Sequence, residues 1–283
     1  MKMKSLDLSG KIDNLVPIFE IITGITDALG IPFFVLGATA RDLILEVGYG
    51  IRSFRATKDL DLAIQIEDWE NYEILITTLL ETGQFRKDRS PHRLIYIKEL
   101  PIDIVPFGLI ENEEGEINWP PENETSMSVI GFDEAYANTL IVRLKAEPAI
   151  EIKVASLPGL VVLKLISWKD RSSGKDRDAS DLAHIIKNYY QAGNEDRLFR
   201  ENYKIMEELG HGIEEAGARL LGLDIAALIK PETKELILEI LEEETDEDSE
   251  FRLLTTMARG SLSYDKDFDE YRTLLNELKK GIY

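Results

Sequence analysis

The sequence predicts an α+β chain: strands and helices alternate up to about residue 155, and only helices follow. Three observations carry this. Short apolar runs of strand length recur in the first half, at Phe33 to Leu36, around Asp59 to Ile64 and at Pro101 to Pro106. Amphipathic stretches with apolar residues three and four apart separate them. From Ser156 onward the strand signals stop, which places a boundary near Ala155 between a first domain, residues 1–155, and a helical second domain, residues 156–283. A chain of 283 residues is long enough for two modest domains, each with a buried core.

Composition narrows the function. With 44% hydrophobic and 30% charged residues, the chain reads as soluble and globular. The absence of cysteine excludes disulfides and thiolate metal centres, and the scattered histidines (His92, His184, His211) argue against zinc. Met1 to Asp13 lacks the apolar core of a signal peptide. The longest apolar tract, Leu157 to Trp168, contains Lys164 and is too short to span a bilayer. No membrane association and a cytoplasmic location are therefore expected. The formal charge of −20 works against general nucleic-acid binding. Base is denser early, at Arg41, Arg52, Arg55, Lys58, Arg86, Lys87, Arg89 and Arg93, which leaves room for a polyanion site there.

Taken in order, Asp13 to Leu29 has apolar residues at helical spacing and stops at Gly30. Phe33 to Leu36 is a strand broken by Gly37, and Ala38 to Val47 resumes helical spacing through Ala40, Leu43, Ile44 and Val47. A glycine at such a turn lets a ligand approach the backbone, and the free amides of the new helix favour an anion such as phosphate. A loop from Gly48 to Thr57 leads to Asp59 and Asp61. On a strand these carboxylates share a face about 6.6 Å apart. Bare, they repel by about 2.5 kcal/mol at an effective dielectric of about 20. Leu60, Leu62 and Ile64 anchor the opposite face, so the pair cannot separate. A divalent cation turns that repulsion into binding, and hard oxygen donors suit magnesium or manganese. The chemistry that needs this is attack on a nucleoside triphosphate, with metal clamping the attacking and leaving oxygens. An Asp-X-Asp alone is more often a solvated strand face, and a lone glycine a plain turn; their combination points to a site.

Trp69 to Leu80 is an amphipathic helix, Phe85 to Arg93 a basic exposed stretch, and Arg93 to Lys98 an alternating strand. In the strand Pro101 to Pro106, Asp103 points opposite to Ile102 and Ile104. By itself it faces solvent; beside the aspartate pair it is a third carboxylate, ligating metal or taking the proton from an attacking hydroxyl. Leu109 to Ser128 reads as a long polar loop, and Leu140 to Leu144 with Ala149 to Val154 as a hairpin turning near Pro148.

In the second half, Ser156-Leu157-Pro158 opens a helix that is apolar nearly all round, hence buried. Lys164 in its middle either snorkels or carries an ammonium to phosphates or carboxylates. A base-rich loop then precedes a helix with Asp178 and Asp181 on one face, which either complements the helix dipole or contacts a nucleotide or acceptor. Leu198 to Met206, Ile213 to Ile229, Thr233 to Leu241 and Asp267 to Lys279 are packed helices without evident chemistry.

Gly37-Ala38 at a strand–helix turn, Asp59-Leu60-Asp61 and a later Asp103 resemble the motifs of the DNA polymerase beta-like nucleotidyltransferase superfamily. The chain looks most like its AbiEii-type branch, which includes toxins of toxin–antitoxin and abortive-infection systems. The counterparts of that branch's motifs are Arg55 with Thr57-Lys58-Asp59-Leu60-Asp61, Lys164-Leu165, and Lys175-Asp176-Arg177-Asp178-Ala179-Ser180-Asp181-Leu182. The resemblance implies a mixed twisted sheet with flanking helices, packed on an all-helical C-terminal domain. It also implies transfer of a nucleoside monophosphate from a triphosphate such as ATP, GTP or CTP to an acceptor hydroxyl. The acceptor is tRNA or another RNA, a protein or a small molecule, and the implied partner is an antitoxin. Asp59, Asp61 and Asp103 hold magnesium or manganese in this reading, and Gly37, Ala38 and Thr39 cradle phosphate. Arg41, Arg55 and Thr57 are further nucleotide contacts. Lys164 and Lys175 neutralise triphosphate charge, and Asp178 positions Lys164 or the base.

The chain departs from the superfamily in two places. Ala38 stands where glycine or serine is usual, with Thr39 offering a hydroxyl, and the gap from Gly37 to Asp59 is long. The second feature is similar to CCA-adding enzymes and bacterial poly(A) polymerases, whose glycine motif also runs into Arg-Asp, as Arg41-Asp42 does here. Such an enzyme, or a non-catalytic nucleotide- or partner-binding protein on the same fold, is the alternative.

Overall fold

In the computed structural model, which describes residues 5–55, 57–120, 126–170, 176–246, 248–259 and 264–283, the chain divides into two units, Met1–Ser156 and Leu157–Tyr283.

The first unit is built on β1 (Ser5–Asp7), β2 (Phe33–Leu36), β3 (Leu60–Ile66), β4 (Phe85–Lys87), β5 (Arg93–Tyr96), β6 (Leu100–Gly108), β7 (Glu116–Asn118), β8 (Ser126–Ser128), β9 (Leu140–Lys145) and β10 (Ile150–Val154). Its helices are α1 (Val16–Leu29), α2 (Gly37–Asp42), α3 (Trp69–Glu81) and α4 (Phe132–Ala137). Among the described residues, eight strands form one mixed sheet in the order β1-β9-β10-β2-β3-β6-β5-β4, and β7 pairs with β8. The central pair β3–β6 is parallel, while β2 and β5 flank it antiparallel. Leu60, Leu62 and Ile64 are buried, as their alternation with Asp61 predicts. An edge-to-face packing of Phe34 on Phe107, with ring centres 5.6 Å apart, ties β2 to β6, and Phe132 and Tyr136 join the same cluster. Asp68 caps α3 by accepting the backbone N–H of Asn71 at 2.9 Å.

Several expectations change. The stretch expected to be basic and exposed includes β4, an edge strand whose Phe85 is buried against Tyr96 at 5.5 Å; one aromatic pair outweighs the basic residues around it. The helix after Gly37 runs as α2 only to Asp42 and then widens into a π-helical turn, Leu43–Gly48. The loop from 109 to 128 contains the β7–β8 ladder, a local hairpin with too few apolar residues to announce itself. β1 and α4 carry no strong sequence pattern; β1 is held by parallel pairing with β9.

The second unit comprises α5 (Leu157–Asp170), α6 (Asp176–Asn188), α7 (Tyr203–Glu208), α8 (Ile213–Ala226), α9 (Pro231–Thr245), α10 (Arg252–Ala258) and α11 (Tyr264–Ile282). A single 3₁₀ turn at Tyr189–Gln191 and a π-helical turn at Arg197–Glu201 connect some of these. α5 is buried on almost every side, as its unbroken apolar run predicts. α8 and α11 meet backbone to backbone at Gly222 and Gly281: a Cβ on Gly222 would lie 2.2 Å from the carbonyl oxygen of Leu278, and one on Gly281 2.1 Å from that of Arg219. No helix among the described residues is long and apolar enough to cross a membrane.

Candidate active site

The sheet brings a row of charged side chains together. In Cα register, Leu36 of β2 stands beside Asp61 of β3, Asp61 beside Asp103 of β6, and Asp103 beside Arg93 of β5. Residues in register on adjacent strands present their side chains to the same face, so Asp61, Asp103 and Arg93 stand side by side. Asp59 lies just ahead of β3, and its charge acts on Arg93.

Gly37 closes this row from the β2 end. Its φ of +66° is left-handed, and a Cβ built there would lie 2.0 Å from Oδ2 of Asp61. Only glycine satisfies both the turn and the carboxylate pressed against it. Thr39, in the first turn of α2, donates its hydroxyl to the carbonyl oxygen of Asp59 at 2.9 Å and so ties the glycine turn to the aspartate strand. Ala38 and Thr39 are both buried.

At the other end Arg93 grips Asp103 with a two-pronged fork: Nε donates to Oδ1 at 2.6 Å and Nη2 to Oδ2 at 2.7 Å. These hydrogen bonds, with the charges of Asp103, Asp59 and Asp88, raise the guanidinium pKa beyond its already high value against the opposing effect of burial. Tyr72 braces the strand nearby, its hydroxyl donating to the carbonyl of Ile104 at 3.3 Å. Burial first, and then the charges of Glu73 and Asp103, push that phenol's pKa up.

Arg41, Arg55 and Thr57 belong to a different assembly. Arg41 is completely buried; its Nε and Nη2 donate to Oδ1 of Asp42 at 2.8 and 2.6 Å, and Nη2 also donates to Oγ of Ser53 at 3.0 Å. Thr57 donates its hydroxyl to the other oxygen of Asp42, and Ser53 donates to the carbonyl of Arg55 at 2.9 Å. The guanidinium groups of Arg41 and Arg55 lie 5.0 and 5.9 Å from the ring centre of Phe54. In this arrangement Arg41 and Thr57 both donate to Asp42, on either side of the loop ahead of Asp59.

In the helical unit, Lys164 does not snorkel. Its side chain is 9% exposed, and its ammonium donates to Oδ2 of Asp181 at 2.6 Å and to Oδ1 of Asp178 at 3.3 Å. The spacing of three residues on α6 puts both carboxylates on the face that meets α5. Lys175 lies outside the described residues.

Two partners were not assigned roles by sequence reasoning: Arg93 and Asp42. A signal existed for Arg93. In an antiparallel hairpin the paired positions have a constant sum, so a turn between Tyr96 and Leu100 places Arg93 opposite Asp103.

The donor chemistry around β3 suits a hard cation. Magnesium characteristically takes one or two protein carboxylates and completes its shell with water and substrate phosphate; Asp59 and Asp61 can supply these. Both oxygens of Asp103 are engaged by Arg93, and no group of three or more His, Cys, Asp or Glu side chains stands ready for a metal among the described residues.

Residues 23–274 match the family described as nucleotidyl transferase AbiEii toxin, type IV TA system. No curated protein matches the chain. Among solved structures, the antibiotic-resistance factor ANT(2'')-Ia is similar at 14% identity, over 70% of this chain and 97% of that one, with a TM-score of 0.37. The lincosamide antibiotic adenylyltransferase LnuA is similar at 13% identity, over 61% and 95%, with a TM-score of 0.36. The Thermotoga maritima CCA-adding enzyme complexed with tRNA is similar at 14% identity, over 94% and 69%, with a TM-score of 0.32.

Proposed function

From the premise that this chain belongs to the AbiEii nucleotidyl transferase family, we propose that it moves a nucleoside monophosphate from a nucleoside triphosphate to an acceptor hydroxyl with magnesium, as the toxin of a toxin–antitoxin pair. Nucleotidyl transfer follows from the family; the cation, the acceptor and the toxin role are the proposal. One observation supports it above the others: the Asp61 carboxylate, in register with Asp103, is pressed against a glycine that tolerates no side chain.

In this reading residues 1–155 are the catalytic domain, and residues 156–283 are a helical domain with its own Lys164–Asp178–Asp181 cluster. The Gly37 turn, with Ala38 and Thr39, receives phosphate on backbone amides. Asp59 and Asp61 hold the cation, which when bound neutralises phosphate charge and aligns the attacking and leaving oxygens. The acceptor oxygen forms a bond to the α-phosphorus while the bond from that phosphorus to the bridging oxygen breaks. Pyrophosphate leaves with the electron pair, and the hydroxyl proton passes to Asp103. Arg41, Arg55 and Thr57 hold the loop ahead of Asp59. The acceptor is an RNA, protein or small-molecule hydroxyl.

The test is transfer of label from each of the four triphosphates to cellular RNA, protein and small molecules in the presence of magnesium. Transfer is expected from the native chain and is lost in Asp59→Ala and Asp61→Ala. Full transfer by either variant defeats the assignment. Magnesium-dependent triphosphate binding without transfer to any acceptor defeats the catalytic reading and leaves a nucleotide-binding protein.

A further inference from the structure

Arg93 carries a consequence for how the acidic row fills. Asp61, Asp103 and Arg93 share one row of the sheet. The fork from Arg93 engages both oxygens of Asp103 at 2.6 and 2.7 Å, and the same guanidinium feels the charge of Asp59. The backbone of Arg93 is fixed by its register opposite Asp103. Its side chain is 31% exposed, while that of Asp103 is 16% exposed. A long side chain that is partly exposed and rooted in a strand can leave its partner without disturbing the sheet, at the modest cost of breaking a partly exposed pair.

We propose that Arg93 is a built-in stand-in cation: in the nucleotide-free protein it occupies Asp103 and competes with a divalent ion for the acidic row, and it must release Asp103 before that row is complete. This rests on the reading that Asp59 and Asp61 hold the cation beside Asp103. Arg93 is thus a positioning residue whose departure links cation loading to the availability of the third carboxylate. A guanidinium cannot lose its charge at any physiological pH, so its movement, not its titration, makes the change.

The experiment measures Mn²⁺ binding without nucleotide, by electron paramagnetic resonance and calorimetry, on the full chain. Removing a positive charge a few ångströms from the row is expected to tighten Mn²⁺ binding about tenfold or more in Arg93→Ala and in Arg93→Gln. Adding Asp103→Asn to either variant is expected to erase the gain, because the uncompensated carboxylate is then gone. Thermal melting confirms that each variant is folded, and the glutamine variant retains much of the arginine's packing should the alanine variant melt early. Equal or weaker binding in both folded variants, including no measurable binding to either, overturns the proposal. Asp61→Asn tests the underlying site separately: Mn²⁺ binding that is indifferent to Asp61→Asn sinks the acidic-row reading, whatever Arg93 does.

Discussion

In the sheet unit, Asp103 stands beside Asp61 and is gripped by an arginine whose side chain is 31% exposed; in the helical unit two aspartates face a lysine that is 9% exposed. The second cluster is closed on itself: Asp181 is fully buried and Lys164 answers both carboxylates. The first is partly open to solvent at both Arg93 and Asp103. Breaking a buried pair strands a charge away from water, whereas breaking a partly exposed one lets solvent replace the partner. The same residue types thus make one cluster sealed inside the helical unit and another partly open to solvent on the sheet.

The largest effect that would break this comparison is expected at Lys164. Lys164→Met leaves Asp178 and Asp181 buried without their ammonium and is expected to cost about 3–5 kcal/mol in urea unfolding. A loss below about 1 kcal/mol would show that this cluster is not the closed one. Gly37→Ala comes next. It forces a left-handed residue to carry a side chain into the Asp61 carboxylate, for about 1–3 kcal/mol of stability. Displacing that carboxylate is also expected to cut nucleotide transfer about 100-fold. Transfer at the native rate in a folded Gly37→Ala protein would remove the glycine turn from the site. Arg93→Ala is expected to change stability by no more than about 1 kcal/mol, far less than Lys164→Met under the same conditions.

The smallest effect concerns Glu244, a buried carboxyl that accepts the indole N–H of Trp168 at 3.4 Å and the backbone N–H of Leu253 at 2.8 Å. Burial raises its pKa above the usual glutamate value, against these hydrogen bonds. A raised carboxyl binds its proton more readily in the native state. Its contribution is therefore fully present below the unfolded pKa and is lost as pH rises through the folded pKa. The stability difference between the native chain and Glu244→Gln is expected to shift in favour of the native chain as pH falls from 7 toward 4.5. A flat difference would show that burial does not govern this group.

Much of the first unit was legible because strand and helix periods differ. The runs around Val35, Leu62 and Ile104 became the central strands, and the helical spacing before Gly30 and after Trp69 became α1 and α3. The elements missed are those whose stability comes from neighbours: β1 pairs with β9, and β4 buries one phenylalanine. At the site, Asp61 was readable from its alternation with leucines, and Arg93 could have been read from hairpin arithmetic. The exclusion of any side chain at Gly37 by Asp61 could not, because it depends on which strand lies beside β2.

By itself, the amino-acid order determined what repeats over a few residues: the strand and helix periods, the glycine bend, the two aspartates sharing a face, and the motif order that resembles the family. Only the tertiary structure decided the partners. The parallel pairing of β3 with β6 set Asp61 beside Asp103, although 42 positions separate them, and the packing of α5 on α6 turned a lone lysine into a buried ion cluster. The reason is physical: periodicity sets which way a side chain points, but what it meets depends on contacts between segments whose separation along the chain carries no trace in local pattern.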